Sequence, residues 1–369
     1  MSTIFQTVLI ISIISAVLAI ILTFADRKIA DYGQVSLMIN EEEPITIEGG
    51  ENLLTSLRNQ KIFIPSACGG KGSCGYCKVR VVEGGGPVLA TELPHLSEED
   101  KKTNVRLSCQ IKVKQDIHIE IPEELFNVRE YDAVVEKITD VSPRVKRVRF
   151  KLPEGEHIDF KPGQYIQIKA PLYEGSEADE EVFRAYSIAS SARDKGAVEL
   201  FVGFTGGIAT TYVHKHLKEG DIVNLNGPYG DFYYKDDDMG PMLMIATGTG
   251  MAPILSILYH MRDNDIKRQA RFFFGSKTPE DLFILDELAE LEEELYDFKF
   301  MPTLSRVEEG MGWTGDTGRV NDSIMKYVPD GEGAKYTAYL CGADRMIDSA
   351  VEALTSKGMP EDQIYYDKF

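Results

Sequence analysis

Cysteine and basic residues are both scarce in this sequence. Its 369 residues include five cysteines, which is sparse for a scaffold held together by disulfides. Lys and Arg number 40 against 59 Asp and Glu, so the formal charge is −19. This acidic balance argues against a nucleic-acid partner and favours an acidic, soluble body. No internal repeat is evident, and the length predicts two or three domains in place of a single core.

Charged residues are absent from the first 25 positions. The sequence from Ile4 to Phe24 is almost wholly apolar, and a helix of that length, at about 1.5 Å per residue, spans a hydrocarbon core of about 30 Å. The basic start and small-residue cleavage site of a secretory signal peptide are also lacking. We therefore predict an uncleaved transmembrane anchor over residues 1–25, in the membrane through residues 4–24, with a buried core helix as the alternative. Charged residues begin directly after it, at Asp26, Arg27 and Lys28, and by the positive-inside rule the two basic ones place the C-terminal body in the cytoplasm.

Four of the five cysteines form a pattern. Cys68, Cys74, Cys77 and Cys109 are spaced C-x5-C-x2-C-x31-C, and glycines crowd the loop that carries the first three. Such a loop suits a 2Fe–2S cluster, because it must wrap the cluster and turn its N–H groups toward the sulfurs. Zinc and disulfides are the alternatives, but structural zinc sites usually pair two C-x2-C knuckles and this sequence has one. We predict that the four cysteines are iron ligands.

Changes of pattern divide the rest of the chain into three domains. Residues 34–128 combine short strands, one short helix and the cysteine loop, which predicts a small α+β domain. Residues 129–235 contain short strands punctuated by Pro or Gly, which predicts an antiparallel β-barrel interrupted by one helix at Thr210–Leu217. Residues 236–369 alternate apolar strands with helices, which predicts a doubly wound α/β domain.

Two glycine loops precede predicted helices, where unpaired N–H groups and the positive end of the helix dipole favour a phosphate. Neither loop is specific alone: the first lacks the third glycine of a full G-x-G-x-x-G, and a simple turn with a threonine N-cap would explain the second. The candidate residues are Gly248, Thr249 and Gly250 in the first loop, and Gly206, Gly207 and Thr210 in the second.

A polar tetrapeptide, Arg184-Ala185-Tyr186-Ser187, lies on a predicted strand of the barrel. Alternation places Arg184 and Tyr186 on one face and Ser187 on the other. An arginine can hold a phosphate with two hydrogen bonds, and a tyrosine ring can stack on a planar cofactor. An ordinary half-exposed strand is the alternative.

The order of these features resembles the oxidoreductases that fuse a 2Fe–2S ferredoxin domain to a ferredoxin–NADP reductase-type module, over residues 34–369. The resemblance implies a ferredoxin-like β-grasp domain, an FAD-binding barrel and an NADH-binding α/β domain. It also implies that Arg184 holds the FAD pyrophosphate, that Tyr186 stacks on the isoalloxazine, and that Ser187 bonds near its N5. The second glycine loop would hold the FAD phosphates.

The same resemblance implies roles near the nicotinamide. The loop Gly248–Pro253 would bind the dinucleotide, and Cys341, in a late Cys-Gly motif, would lie where the hydride passes. For Cys341 alone, a buried thiol at a strand end is the alternative. The C-terminal aromatic residue Phe369 resembles the lid over the flavin in this family. NADH is expected in preference to NADPH, because Glu280 and Asp281 would oppose a 2′-phosphate near Lys277.

With the anchor added, the chain resembles the Na+-translocating NADH:quinone oxidoreductases. That resemblance implies a subunit of the bacterial inner membrane, with a single pass and a cytoplasmic body, that transfers electrons from NADH through FAD to the 2Fe–2S cluster and on to membrane partner subunits. Quinone reduction would be coupled to sodium translocation, with the ion path in the partners, because one anchor helix offers none. One alternative is the reductase component of an oxygenase, which needs no anchor and favours a C-x4-C gap; another is a non-catalytic, membrane-tethered electron carrier.

Overall fold

The computed structural model describes most of the chain and divides it into two compact units, Met1–Asn127 and Val128–Phe369. Each unit has its own sheets and its own hydrophobic core. The described residues are 5, 9–18, 32–66, 68–176, 181–236, 240–308 and 310–369.

The first unit is built on a five-stranded mixed sheet in the order β2-β1-β5-β3-β4. The central pair β1 and β5 is parallel and the other pairs are antiparallel, which is the expected β-grasp arrangement. Alternate residues of these strands face a helix, α1, and form the core. The strands are β1 Gln34–Ile39, β2 Ile45–Glu48, β3 Lys78–Glu83, β4 Val105–Leu107 and β5 Ile117–Glu120, and the helices are α1 Leu53–Asn59 and α2 Glu98–Lys102.

The predicted transmembrane segment lies partly outside the described residues. Residues 9–18 are helical, and their large apolar side chains are about half exposed or more. Across the part of the chain that the structure describes, no helix combines the length and the apolar character needed to cross a membrane.

The second unit begins with a six-stranded antiparallel sheet in the order β10-β7-β6-β11-β8-β9. A bridge between Ile188 and Leu200 joins its two edges, so the sheet closes into the predicted barrel around an apolar interior. One helix, α3, Ile208–Thr211, continues into a π-helical turn at Tyr212–His216. The strands are β6 Arg129–Ser142, β7 Val145–Lys151, β8 Tyr165–Ala170, β9 Val182–Ser187, β10 Ala197–Gly203 and β11 Ile222–Tyr229.

A parallel six-stranded sheet in the order β15-β14-β13-β12-β16-β17 completes the second unit and confirms the doubly wound prediction. Helices α4 and α5 cover one face, and α6 and α7 cover the other. The elements are β12 Met242–Thr247, α4 Met251–Asp263, β13 Ala270–Ser276, α5 Leu285–Glu294, β14 Phe298–Leu304, β15 Asp316–Thr317, α6 Val320–Tyr327, β16 Thr337–Gly342, α7 Asp344–Ser356 and β17 Ile364–Lys368.

The strand β12 is the first of this sheet in sequence but lies between β13 and β16. The chain therefore proceeds outward from β12 in both directions, and the carboxyl end of β12 is a topological switch point. Ligands of open α/β sheets bind at such points, because the loops diverge there and leave a crevice.

Candidate cofactor sites

The four predicted cluster cysteines lie together in the first unit. Cys77 directly precedes β3, and Cys109 lies in a short turn after β4, whose Leu107 pairs with Lys78. The backbone N–H and the hydroxyl of Ser108 both donate to the Cys77 carbonyl, at 2.8 and 3.0 Å. Pairing of β3 with β4 thus brings together two cysteines that are separated by 31 residues in the sequence.

The thiols are arranged as two pairs. The sulfurs of Cys68 and Cys74 are 3.3 Å apart, and the thiols of Cys77 and Cys109 are hydrogen-bonded to each other. Within each pair the hydrogen bond lowers the pKa of one thiol, Cys68 and Cys109 respectively, although burial opposes both shifts. Cys77 and Cys109 are buried, whereas Cys68 and Cys74 are half-buried.

This arrangement fits a cluster with two irons. A 2Fe–2S cluster takes two thiolates on each iron, and two pairs of cysteines supply that set. Among the described residues, no three His, Cys, Asp or Glu side chains are grouped as ligands of a single metal ion would be.

Backbone amides of the cysteine loop point at the sulfurs. Ser73 and Cys74 donate to Cys68, Tyr76 donates to Cys74, and Gly72 donates to Cys109. Gly72 has φ of +73°, a left-handed conformation that glycine adopts without strain. Hydrogen bonds of this kind stabilise thiolates and tune a cluster's reduction potential.

A buried ion pair behind the cluster was not predicted from the sequence. Arg106 and Glu92 are 2% and 0% exposed, and the guanidinium makes hydrogen bonds of 2.8 and 2.5 Å to the two carboxylate oxygens. The Leu107 amide also donates to Glu92, at 3.0 Å, which fixes the strand leading to Cys109. Arg106 lies three residues before Cys109, but no pattern in the sequence pairs it with Glu92, which lies 14 residues earlier.

The predicted flavin residues lie on β9, which pairs with β8. Arg184, Tyr186 and Ser187 are all half-buried. Nη1 of Arg184 donates to the Phe183 carbonyl at 2.7 Å, and burial raises the pKa of Tyr186 well above its usual value. A tyrosine is neutral at physiological pH even at its usual pKa of about 10, so this ring is uncharged and can stack on a planar cofactor.

The second glycine loop lies beside this strand, since α3 packs against β8 and β9. Gly207, and not Thr210, immediately precedes the helix, so Thr210 is not its N-cap. The Thr210 hydroxyl instead donates to the Gly207 carbonyl at 3.1 Å and accepts from the Thr205 amide at 3.3 Å. At Gly206, φ is +82° and no atom lies within 4 Å of the position that a Cβ would take. This side of the loop is open to a ligand.

The first glycine loop lies at the switch point, directly after β12. Residues Gly248–Gly250 form a tight turn, and α4 starts at Met251, so its N–H groups face the crevice. A Cβ on Gly250 would lie 2.1 Å from the Cys341 carbonyl oxygen, so only glycine fits there. The Thr249 methyl would lie 3.2 Å from a Cβ on Gly203, which brings this loop to the end of barrel strand β10.

Cys341 is the last residue but one of β16 and lies beside this loop. Its side chain is 0% exposed, and burial raises the pKa of the thiol well above its usual value, with a further contribution from Asp367. The Phe369 amide donates to the Gly342 carbonyl at 3.2 Å, and the Phe369 ring is 59% exposed. The structure thus brings together Gly250, Cys341 and Phe369, while the β9 residues and the second glycine loop form a separate group on the barrel.

Three families match successive parts of the chain. They are the 2Fe-2S iron-sulfur cluster binding domain over residues 38–114, the oxidoreductase FAD-binding domain over 132–234, and the oxidoreductase NAD-binding domain over 244–352. The predicted cofactors, a 2Fe–2S cluster, FAD and NADH, agree with these matches.

Relatives and solved structures cover nearly the whole chain. The Na(+)-translocating NADH-quinone reductase of Idiomarina loihiensis has a subunit, designated F, that is 36% identical, covering 97% of each chain. The protein of the same name in Marinomonas sp. is 34% identical, covering 97% of this chain and 96% of its own. A ferredoxin reductase in carbazole 1,9a-dioxygenase has the same fold, with a TM-score of 0.70 at 24% identity over 91% of this chain and 98% of that one.

Proposed function

Because this chain belongs to the family of these Na(+)-translocating NADH-quinone reductase subunits, we propose that it oxidises NADH and delivers the electrons to membrane partners that reduce a quinone. The observation that carries the proposal is the order of three cofactor-binding domains along one chain, matched end to end by these relatives. Electrons pass from NADH through FAD to the 2Fe–2S cluster. FAD is needed between the other two because it accepts a hydride and releases single electrons.

The first unit holds the one-electron end of this sequence. Cys68 and Cys74 would bind one iron, and Cys77 and Cys109 the other, because the thiols already lie in those pairs. The amides of the cysteine loop stabilise the thiolates and set the potential at which the cluster accepts an electron. The half-buried pair, Cys68 and Cys74, would leave its iron nearer to solvent than the buried pair, Cys77 and Cys109.

The second unit holds the hydride end. Arg184 would neutralise the FAD pyrophosphate, Tyr186 would stack on the flavin, and Ser187 would donate near N5. The open loop at Gly206, Gly207 and Thr210 would hold the FAD phosphates. These assignments rest on the half-buried β9 residues and on the free space at Gly206.

NADH would bind at the switch point. Gly248, Thr249 and Gly250 let the pyrophosphate approach the start of α4. Cys341 would border the nicotinamide as a neutral thiol, because its burial disfavours the thiolate. Phe369, held at Gly342 and largely exposed, would cover the flavin until NADH displaces it.

The N-terminal segment would anchor the protein in the bacterial inner membrane. The exposed apolar side chains of residues 9–18 support this, since burying them in lipid would remove them from water. We assign residues 1–25 to a single-pass anchor, 34–128 to the ferredoxin domain, 129–235 to the FAD barrel and 236–369 to the NADH domain, with the body in the cytoplasm. Sodium translocation would then take place in the partner subunits.

An oxygenase reductase is the less supported alternative. The dioxygenase ferredoxin reductase shares the fold of this chain, so the fold alone does not separate the two functions. The NADH-quinone reductase relatives match at higher identity and over more of the chain. A bare electron carrier is disfavoured, because it would not need the FAD and NADH domains.

Anaerobic reduction by NADH tests the sequence of electron transfers. The wild type is expected to bleach its flavin absorption and then to show a rhombic EPR signal from one unpaired electron on the cluster. Cys74→Ala is expected to lose the EPR signal and keep flavin bleaching, while Cys341→Ala is expected to keep the cluster, because Cys341 is not a ligand. A wild-type protein without the EPR signal would overturn the proposal.

Deletion of residues 1–25 tests the anchor. The truncated protein is expected to reduce its flavin with NADH at the wild-type rate and to lose quinone reduction with its partners in membranes. Full quinone reduction by the truncated protein would show that no anchored complex is needed.

A further inference from the structure

In one loop beside the cluster, the apolar side chains are exposed to solvent and the charged side chain is buried. In residues 86–94, the apolar side chains Val88, Leu89 and Leu93 are 43%, 43% and 49% exposed. Glu92, which is the single charged residue of this loop, is 0% exposed. The hydrophobic effect alone would bury the leucines and expose the carboxylate, so some other interaction fixes the loop in this orientation.

That interaction is the ion pair with Arg106. All five N–H groups of the guanidinium are used: two hydrogen bonds go to Glu92, and three go to the carbonyls of Gly85, Gly86 and Pro87 at 3.2, 2.8 and 2.9 Å. The Leu89 amide also donates to Glu92, at 2.9 Å. The loop is therefore tied down along its length, and its apolar side chains cannot turn inward without leaving a buried charge unpaired.

The loop reaches the cluster through one side chain. The Thr91 hydroxyl donates to Oε1 of Gln110 at 2.9 Å, and Nε2 of Gln110 lies 3.5 Å from the Cys109 sulfur. The turn that ends the loop, Leu93–His95, also touches the cysteine loop, because a Cβ on Gly75 would lie 3.0 Å from His95. The loop that carries the exposed apolar side chains is thus in contact with the two segments that hold the iron ligands.

We propose that the 86–94 loop is the docking surface for the membrane partner that takes electrons from the cluster, and that this partner presents an uncharged, apolar surface. The inference rests on the proposed function, in which the cluster is the exit for electrons. Apolar side chains held outward next to a redox centre give a contact that brings the acceptor close, and exposed apolar patches mark sites of protein–protein interaction.

Charge distinguishes this partner from the chain's own reductase unit. Residues 128–369 contain 28 Lys and Arg against 43 Asp and Glu, a formal charge of −15. A surface complementary to that unit would carry cations, whereas the 86–94 loop exposes no charged side chain of either sign. The loop therefore matches a partner surface that carries little net charge.

The test is the double variant Leu89→Glu/Leu93→Glu in the full chain, assembled with its membrane partner subunits. The matched control is Val82→Glu, because Val82 is 46% exposed in the same unit but belongs to β3. Two rates are measured: cluster reduction by NADH in stopped flow, and NADH-driven quinone reduction by the complex. Because the double variant loses two apolar contact residues, it is expected to slow quinone reduction about tenfold or more. Cluster reduction is expected to stay at the wild-type rate.

Two other outcomes contradict the proposal. Slower cluster reduction would assign the loop to the chain's own reductase unit, and two unchanged rates would show that it docks nothing. If the double variant loses the cluster EPR signal, Leu93→Gln replaces it, with the same expected pattern at a smaller amplitude. A wild type whose cluster NADH cannot reduce would contradict the proposed function and not the docking surface.

Discussion

Replacing Glu92 by glutamine tests how the fourth iron ligand is held. The two oxygens of Glu92 accept four hydrogen bonds, from Nε and Nη2 of Arg106 and from the amides of Leu89 and Leu107. Glutamine offers one acceptor oxygen, and its NH2 group would face donors. Arg106 would stay charged and buried without a counter-charge, because three backbone carbonyls cannot neutralise it.

The expected cost is large. Removing one partner of a buried ion pair destabilises a protein by about 3–5 kcal/mol. With a urea slope of about 1–3 kcal/mol per molar, this lowers the unfolding midpoint of the ferredoxin unit by about 1–5 M. The assay is urea titration of the full chain, followed by the visible absorption of the cluster at a fixed incubation time.

The control for this prediction is Glu98→Gln. Glu98 pairs with Lys101 on the surface of the same unit at 2.6 Å and is 82% exposed, so solvent screens the pair and no measurable shift is expected. Equal midpoints for the Glu92 and Glu98 variants would refute the argument that the buried pair stabilises the strand carrying Cys109.

Three further predictions follow from the same contacts. Burial raises the pKa of Glu92, but hydrogen bonds from Arg106 and from two backbone amides outweigh burial and lower the pKa overall. The ionised Glu92 therefore stabilises the fold above about pH 4.3, and this stabilisation is lost as the pH falls through the pKa of Glu92 in the folded protein. In an acid titration followed by cluster absorption, the wild type is expected to give a steeper curve than Glu92→Gln. The added methyl of Gly250→Ala would collide with the Cys341 carbonyl, so this variant is expected to abolish NADH-dependent flavin reduction. At Gly248 a Cβ has free space, so Gly248→Ala is expected to lower the stability of the fold by only about 1 kcal/mol, because an alanine is strained at its positive φ. Arg184→Leu is expected to lower the FAD-to-protein ratio after purification, and an unchanged ratio would remove Arg184 from the FAD site.

Local pattern was sufficient for the elements that set the fold. The alternation of apolar strands with helices predicted the doubly wound sheet, and the glycines before a predicted helix predicted the loop that follows β12. The cysteine spacing predicted four thiols at one place, which β3–β4 pairing brings about. Each of these features depends on residue types whose chemistry restricts them to one role, so the surrounding structure did not have to be known.

The features that sequence reasoning missed depend on partners distant in the chain. The strand β4, Val105–Leu107, has three residues, too few to show a period. The strand β17, Ile364–Lys368, contains Tyr-Tyr-Asp-Lys and is defined by its parallel pairing with β16. The interior position of Glu92 could not be predicted from composition, because it depends on a guanidinium 14 residues away.

The two sets of variants at the ferredoxin unit separate stability from docking. Arg106 binds both the 86–94 loop and the carboxylate that fixes Leu107, so it joins the exposed surface to the strand carrying Cys109. Loss of Glu92 should therefore disturb the cluster and the loop together, changing the EPR signal as well as quinone reduction. The side chains of Leu89 and Leu93 take no part in these hydrogen bonds, so charges placed there should slow transfer to the partner while the cluster spectrum stays unchanged. If both sets gave the same spectral change, the loop would be a structural part of the cluster site and not a separate contact surface.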